Sequence, residues 1–257
     1  MFSISEASVT VTQGKCTYWL HRPAAPNGSL LLTFSSTRQA SFQEDPYDIP
    51  ARVFAAAGHA VVSFDLPNHG EQINHFGQGI DGFCAAVCAG VDPFQQFIAQ
   101  GQAVIDGCLA QGIGQGGIVA CGVSRAGYCA LRLAAADPRI RAVAGLAPVT
   151  DWRLLREFAA VRADPAVAAL ALDHWAEPLA GRAVFLAIGN GDQRVSSASC
   201  VRFGAQLLQW EEAAALAKSN LQLHIVACPG HALDDQWRRA GAEFLLAHRT
   251  TEAGLGS

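Results

Sequence analysis

The sequence predicts an α/β architecture in which a mostly parallel, doubly wound sheet is covered by helices on both faces. Two observations carry that expectation. Short apolar runs of strand length alternate with longer segments of helical character along most of the 257 residues. The inner runs are continuously apolar rather than alternating, as strands buried on both faces must be. The length suits one large domain spanning 1–257, and no repeat or long linker divides it.

The elements follow in order. Ser8–Thr12 alternates like an edge strand, and Cys16–Leu20 follows Gln13-Gly14-Lys15, so the pair reads as an N-terminal hairpin. Pro23–Gly28 is a turn cluster, Ser29–Phe34 a buried strand and Ser35–Gln39 a polar loop. A helix is expected from about Tyr47 to Ala57, closed by Gly58. His59–Phe64 is the next buried strand and opens into Asp65–Glu71. Residues 72–90 are irregular and glycine-rich, and read as a loop with room for one helical turn. A helix from about Pro93 to Gln111 precedes the strand at Ile118–Cys121. Ile140–Leu146 is another strand. Residues 150–181 form a short, alanine-rich insertion, expected to be mostly helical and placed to cap a site. The strand Ala183–Ile188, a helix over Ser197–Ala217, the strand Leu221–Val226 and a helix from about Leu233 to His248 complete the chain before a soft tail.

Composition narrows the function classes. With 51% hydrophobic and 16% charged residues the chain is not disordered. A net charge of −4 leaves no electrostatic footprint for nucleic acid. Met1–Glu6 lacks the basic and apolar regions of a signal peptide, and no uncharged apolar run approaches the roughly 18 residues of a membrane span. A cytoplasmic protein without a membrane partner is expected, its eight cysteines reduced. Cys84 and Cys88 stand four apart, but no nearby histidine completes a zinc set, so no metal is expected. The sequon Asn27-Gly28-Ser29 has no bearing without secretion. Two G-x-G-x-x-G matches, beginning at Gly77 and Gly112, are set aside as dinucleotide sites. The first follows a polar loop and the second precedes a strand, whereas such a site follows a strand and opens a helix.

The chemistry gathers around Gly122-Val123-Ser124-Arg125-Ala126-Gly127, which joins the strand at Ile118–Cys121 to the helix-forming run Cys129–Ala136. A serine at such a corner is the pattern of a nucleophile elbow, whose tight turn requires small flanking residues; Gly122 and Ala126 supply them. Taken alone, Ser124 reads equally well as a helix cap. Ligands of parallel sheets sit beyond the carboxyl ends of the strands, so the loops there decide between the two. Asp192 lies in the loop after Ala183–Ile188, and His231 in the loop after the last strand. A hydroxyl needs an imidazole to take its proton, and a carboxylate to fix the tautomer of that imidazole. Asp151, after the strand ending at Leu146, is the rival carboxylate.

The order Ser124, Asp192, His231 resembles that of the α/β-hydrolase superfamily, and the resemblance covers nearly the whole chain. Ala60–Glu71 is similar to the superfamily's strand ending in D-x-P-G-H-G. The elbow, together with Ala147-Pro148-Val149-Thr150-Asp151, resembles the dienelactone-hydrolase and prolyl-oligopeptidase-like esterase branch. The resemblance implies a serine hydrolase without cofactor, acting on carboxylic esters through an acyl-enzyme; the short, alanine-rich insertion at 150–181, with few bulky apolar residues, points to small, soluble esters. Peptidase, thioesterase and acyltransferase activities are alternatives on the same fold, and a non-catalytic binding protein is a further one. The oxyanion would be held by the backbone N–H of Arg125 and a second donor. Many relatives carry His-Gly where this chain has Thr33-Phe34; by spacing, the N–H of Ser35 is favoured, with Ser36 next. His69 is implied to be a structural turn residue. The Arg125 side chain is expected either to brace the loops through a carboxylate such as Glu71 or to meet an acidic substrate group. Trp152, Phe158 and Trp175 are candidates for a substrate pocket, with core packing the competing role.

Overall fold

In the computed structural model the described residues are 3–12, 14–22 and 28–250. The expected turn cluster lies almost entirely outside them, as does the tail. Eight strands form one sheet: β1 (Ser5–Val11), β2 (Gly14–His21), β3 (Leu30–Phe34), β4 (Ala60–Phe64), β5 (Ile118–Val123), β6 (Ile140–Leu146), β7 (Ala183–Gly191) and β8 (Leu221–Pro229). Their spatial order is β1-β2-β4-β3-β5-β6-β7-β8. The hairpin β1–β2 and its junction with β4 are antiparallel, and every other pairing is parallel. The inner strands β3 and β4 are buried along their whole length, which explains their unbroken apolar runs. Phe34 pairs with Gly122, Leu146 with Ala187 and Ile188 with Ile225, so that the loops after β3, β5, β7 and β8 emerge at one end of the sheet.

Among the described residues eight α-helices accompany the sheet: α1 (Arg38–Gln43), α2 (Ile49–Ala56), α3 (Gly79–Cys88), α4 (Pro93–Leu109), α5 (Arg125–Ala136), α6 (Pro165–Ala168), α7 (Ser197–Ala213) and α8 (Asp235–Ala247). α2 packs against α8, and α4 against α5. Phe34, Phe64 and Phe97 meet with ring centroids 5.0–5.1 Å apart, tying β3 and β4 to α4.

Three segments differ from expectation. The polar loop after β3 is half helix. Thr37 Oγ1 accepts the Ala40 N–H at 3.1 Å and caps α1, while the Arg38 N–H donates to Asp65 Oδ1 at 2.8 Å. The glycine-rich stretch contains the ten-residue α3. A Cβ on Gly82 would lie 2.6 Å from the Gly77 carbonyl oxygen and 2.8 Å from Asn68 Nδ2, so this glycine serves close packing rather than a loop. In the third segment, 150–181, only α6 is α-helical; the rest is made of short 3-10 turns. Asp151 caps the first of these turns and Asp164 caps α6, Pro165 and Pro178 stand in the first turns of α6 and of the last 3-10 turn, and Leu172 N–H closes the segment onto Thr150 O at 2.9 Å.

Candidate functional site

Ser124 stands at the corner between β5 and α5 with φ 58° and ψ −122°, a conformation costly for a residue with a Cβ. Three backbone bonds impose it. Its N–H donates to Leu146 O at 2.8 Å, and its carbonyl accepts from Val149 N–H at 3.1 Å and Tyr128 N–H at 3.2 Å. The turn is as tight as the sequence implied: a Cβ on Gly122 would lie 2.1 Å from the Ala126 carbonyl oxygen.

Two further groups complete a chain with the hydroxyl. His231, in the loop between β8 and α8, places Nε2 2.8 Å from Ser124 Oγ. Its Nδ1 lies 2.7 Å from Asp192 Oδ2. The arrangement suits one tautomer, with Nδ1–H donating to the carboxylate and Nε2 accepting from the serine hydroxyl. Asp192 is 3% exposed and follows β7 directly. Its Oδ1 accepts the N–H groups of Arg194 (2.9 Å) and Val195 (3.1 Å). Burial alone would raise its pKa, but the His231 hydrogen bond and the two backbone donors outweigh it and hold the carboxyl below its ordinary value. Asp151 is turned elsewhere: both of its oxygens are bound by the Arg153 side chain, at 2.7–3.1 Å.

Other sequence-predicted residues are placed differently. The Ser35 N–H donates to Ser41 Oγ at 3.0 Å, so it is already engaged and is not a spare donor beside Ser124. Ser36 follows it on the same cleft wall, its own carbonyl held by the Leu66 N–H at 3.2 Å. Glu71 is bound by Arg38 and therefore does not brace Arg125. Trp152 and Phe158 are fully buried and do not line the cleft around Ser124. Trp152 packs among Phe83, Phe94, Tyr128 and Phe158 at centroid distances of 5.0–5.5 Å. Trp175 is also off the cleft, with the Arg132 guanidinium 3.8 Å over its ring. His69 is buried, with Nδ1 2.8 Å from Pro67 O, and burial lowers its pKa, as befits a turn residue.

The cleft beside Ser124 has a volume of about 220 Å³. Its walls include Tyr47, Ile80, Arg125, Arg194, Leu233 and Arg238. Sequence reading missed most of these, because they come from separate loops and helix starts and carry no shared motif. No residue of 150–181 lines the cleft; that segment reaches it indirectly, through Glu157, which binds Arg194 with two contacts of 2.7 Å. Among the described residues no cluster of three or more metal-ligating side chains occurs, and no helix is long and apolar enough to cross a membrane.

No protein-family model matches the sequence, and no curated protein sequence does. Solved structures do match. An esterase from Pyrococcus furiosus superposes with a TM-score of 0.68 at 14% identity, over 96% of this chain and 93% of that one. A cold-adapted esterase from an Arctic intertidal metagenomic library gives a TM-score of 0.71 at 17% identity, over 97% and 96%. An acylaminoacyl peptidase from Pyrococcus horikoshii gives 0.70 at 11% identity, over 99% of this chain and 43% of that one.

Proposed function

We propose, from the α/β-hydrolase fold that the chain shares with these structures, that it is a serine hydrolase cleaving small carboxylic esters through an acyl-enzyme. The observation that carries the reading is the continuous chain Ser124 Oγ, His231 Nε2, His231 Nδ1 and Asp192 Oδ2, with links of 2.8 and 2.7 Å, at a strained elbow. His231 takes the hydroxyl proton as Ser124 attacks the ester carbonyl. Asp192, kept ionised, stabilises the imidazolium that forms. The tetrahedral oxyanion is held by the backbone N–H of Arg125, at the start of α5, and by that of Ser36. His231 then gives its proton to the departing alcohol. Water, activated by the same imidazole, releases the acid from Ser124. A cleft of about 220 Å³ suits a small acyl group rather than a lipid chain. Peptidases, thioesterases and acyltransferases use the same groups.

Ser124→Ala should retain the fold by circular dichroism and lower ester hydrolysis about 100-fold or more, since such residues act as a unit. A fluorophosphonate probe should label the wild type at Ser124 alone. Unchanged turnover in the variant would show that Ser124 is not the nucleophile, and a wild type that neither turns over esters nor takes the label would replace this reading with that of a non-catalytic binding protein.

A further inference from the structure

The cleft carries one feature that ester hydrolysis as such does not require. Its lining contains three arginines and no carboxylate, on a chain whose net charge is −4. Two of the three have hydrogen-bond or ion-pair partners for their terminal guanidinium nitrogens, although the Arg238 Nε has none. Arg194 is held in two-pronged contact by Glu157, with both bonds at 2.7 Å. Arg238 donates to the Leu233 carbonyl and lies 3.5 Å from Asp235. Arg125 has no ion pair or hydrogen bond from its guanidinium to any described residue, and its Nε is buried without a partner. Glu71, the carboxylate expected to brace it, is bound by Arg38, and Glu157 is bound by Arg194. Burial, with the nearby Arg194 charge adding to it, disfavours this cation and lowers its pKa. An arginine nonetheless stays charged, because its ordinary pKa is so high. Arg125 is half-buried, and a cation partly withdrawn from water without a partner is costly and is normally found with a counter-ion. Here the position beside Ser124 faces the space a substrate fills.

We infer that the substrate is an ester bearing a carboxylate, and that the Arg125 guanidinium receives that carboxylate beside the scissile bond. The inference rests on the hydrolase reading above. The planar fork of a guanidinium matches a carboxylate with two parallel hydrogen bonds, which fixes orientation as well as charge. Fixed orientation next to the nucleophile holds the ester carbonyl over Ser124 Oγ. Arg125 thus contributes twice: its backbone N–H faces the oxyanion and its side chain selects the substrate.

Two matched pairs test this. Methyl hydrogen succinate against dimethyl succinate places the charge on the acyl side. 4-Acetoxybenzoate against its methyl ester places it on the leaving group. In at least one pair the anionic member should have a kcat/KM tenfold or more above its neutral partner. In Arg125→Gln, which keeps the backbone N–H, that ratio should collapse to about one or below. Taking the ratio within each variant cancels changes to the shared machinery. Arg125→Lys serves if the Gln variant fails to fold, and should lower the ratio because an ammonium lacks the two-pronged fit. Preference for the neutral esters in both pairs, or an unchanged ratio in the folded variants, would overturn the assignment. Should the wild type cleave none of the four esters, the hydrolase reading fails separately. Calorimetric titration of succinate then decides the Arg125 site: binding to wild type that is lost in Arg125→Gln supports it, and no binding ends it.

Discussion

Asp192 and Asp151 are both buried aspartates after core strands, and their hydrogen bonds separate them. Asp192 spends one oxygen on two backbone donors and offers the other to His231, whereas Asp151 is occupied on both oxygens by Arg153. Asp192→Asn should therefore disturb the His231 tautomer and lower kcat by about 100-fold or more. Asp151→Asn keeps an oxygen able to cap the turn but loses the ion pair with the half-exposed Arg153, and should cost at most about 1 kcal/mol of stability. Side-by-side kinetics of the two variants check this; a larger loss of turnover in Asp151→Asn would reverse the assignment. The same scale separates Ser35 from Ser36 as candidate donors. Spacing alone put Ser35 first, but only a tertiary contact, the Ser41 hydroxyl arriving from α1, reveals that its N–H is taken.

At the scale of elements, the elbow and the strands around it were legible in the sequence because burial on both faces leaves a composition that local reading detects. The segments that were misread are those whose conformation is fixed from outside. α3 looks like a loop because Gly77, Gly79 and Gly82 weaken its local helix propensity; the packing of Asn68 and Phe83 makes it a helix. The aromatic residues at 152 and 158 read equally well as pocket or core, and the cluster around Trp152 shows them to be core. Cleft-lining residues such as Tyr47 and Ile80 gave no signal, since loop ends converge only in three dimensions. At the elbow itself, Gly122→Ala would drive a Cβ to 2.1 Å from the Ala126 carbonyl oxygen. Backbone must move, at a cost of about 1–3 kcal/mol or more. Thermal unfolding should show that loss together with a fall in activity, because Ser124 is displaced as well. A variant with wild-type melting temperature and rate would show the turn to be less tight than it is here.

For the molecule as a whole, protonation limits stability on the acid side. Burial lowers the pKa of His59 and His69, so the folded chain keeps them neutral. Glu71, Asp137, Glu157 and Asp192 are all held below their ordinary values: Glu71 chiefly by its bond to Arg38, the others by hydrogen bonds that outweigh burial. In both groups the unfolded chain binds protons at higher pH than the folded one, so stability falls with pH. The decline should begin below about pH 6.5 with the histidines and steepen below about pH 4 with the carboxylates. Asp48, whose pKa burial raises, opposes the second step but stands alone against four. Urea midpoints at pH 7.5, 5.5 and 4 should decrease in that order; a flat profile between 7.5 and 4 would contradict it.

Ser124 and His231 are 107 residues apart in the chain, and Asp192 and His231 are 39 apart. During synthesis at roughly 5–20 residues per second, the elbow precedes its base by about 5–20 seconds. On the proposed hydrolase reading, the serine is for that interval an ordinary alcohol that no ester acylates at a useful rate. Reactivity would then begin only when β8 has joined the edge of the sheet and delivered the imidazole, so that completion of the sheet and the onset of chemistry coincide.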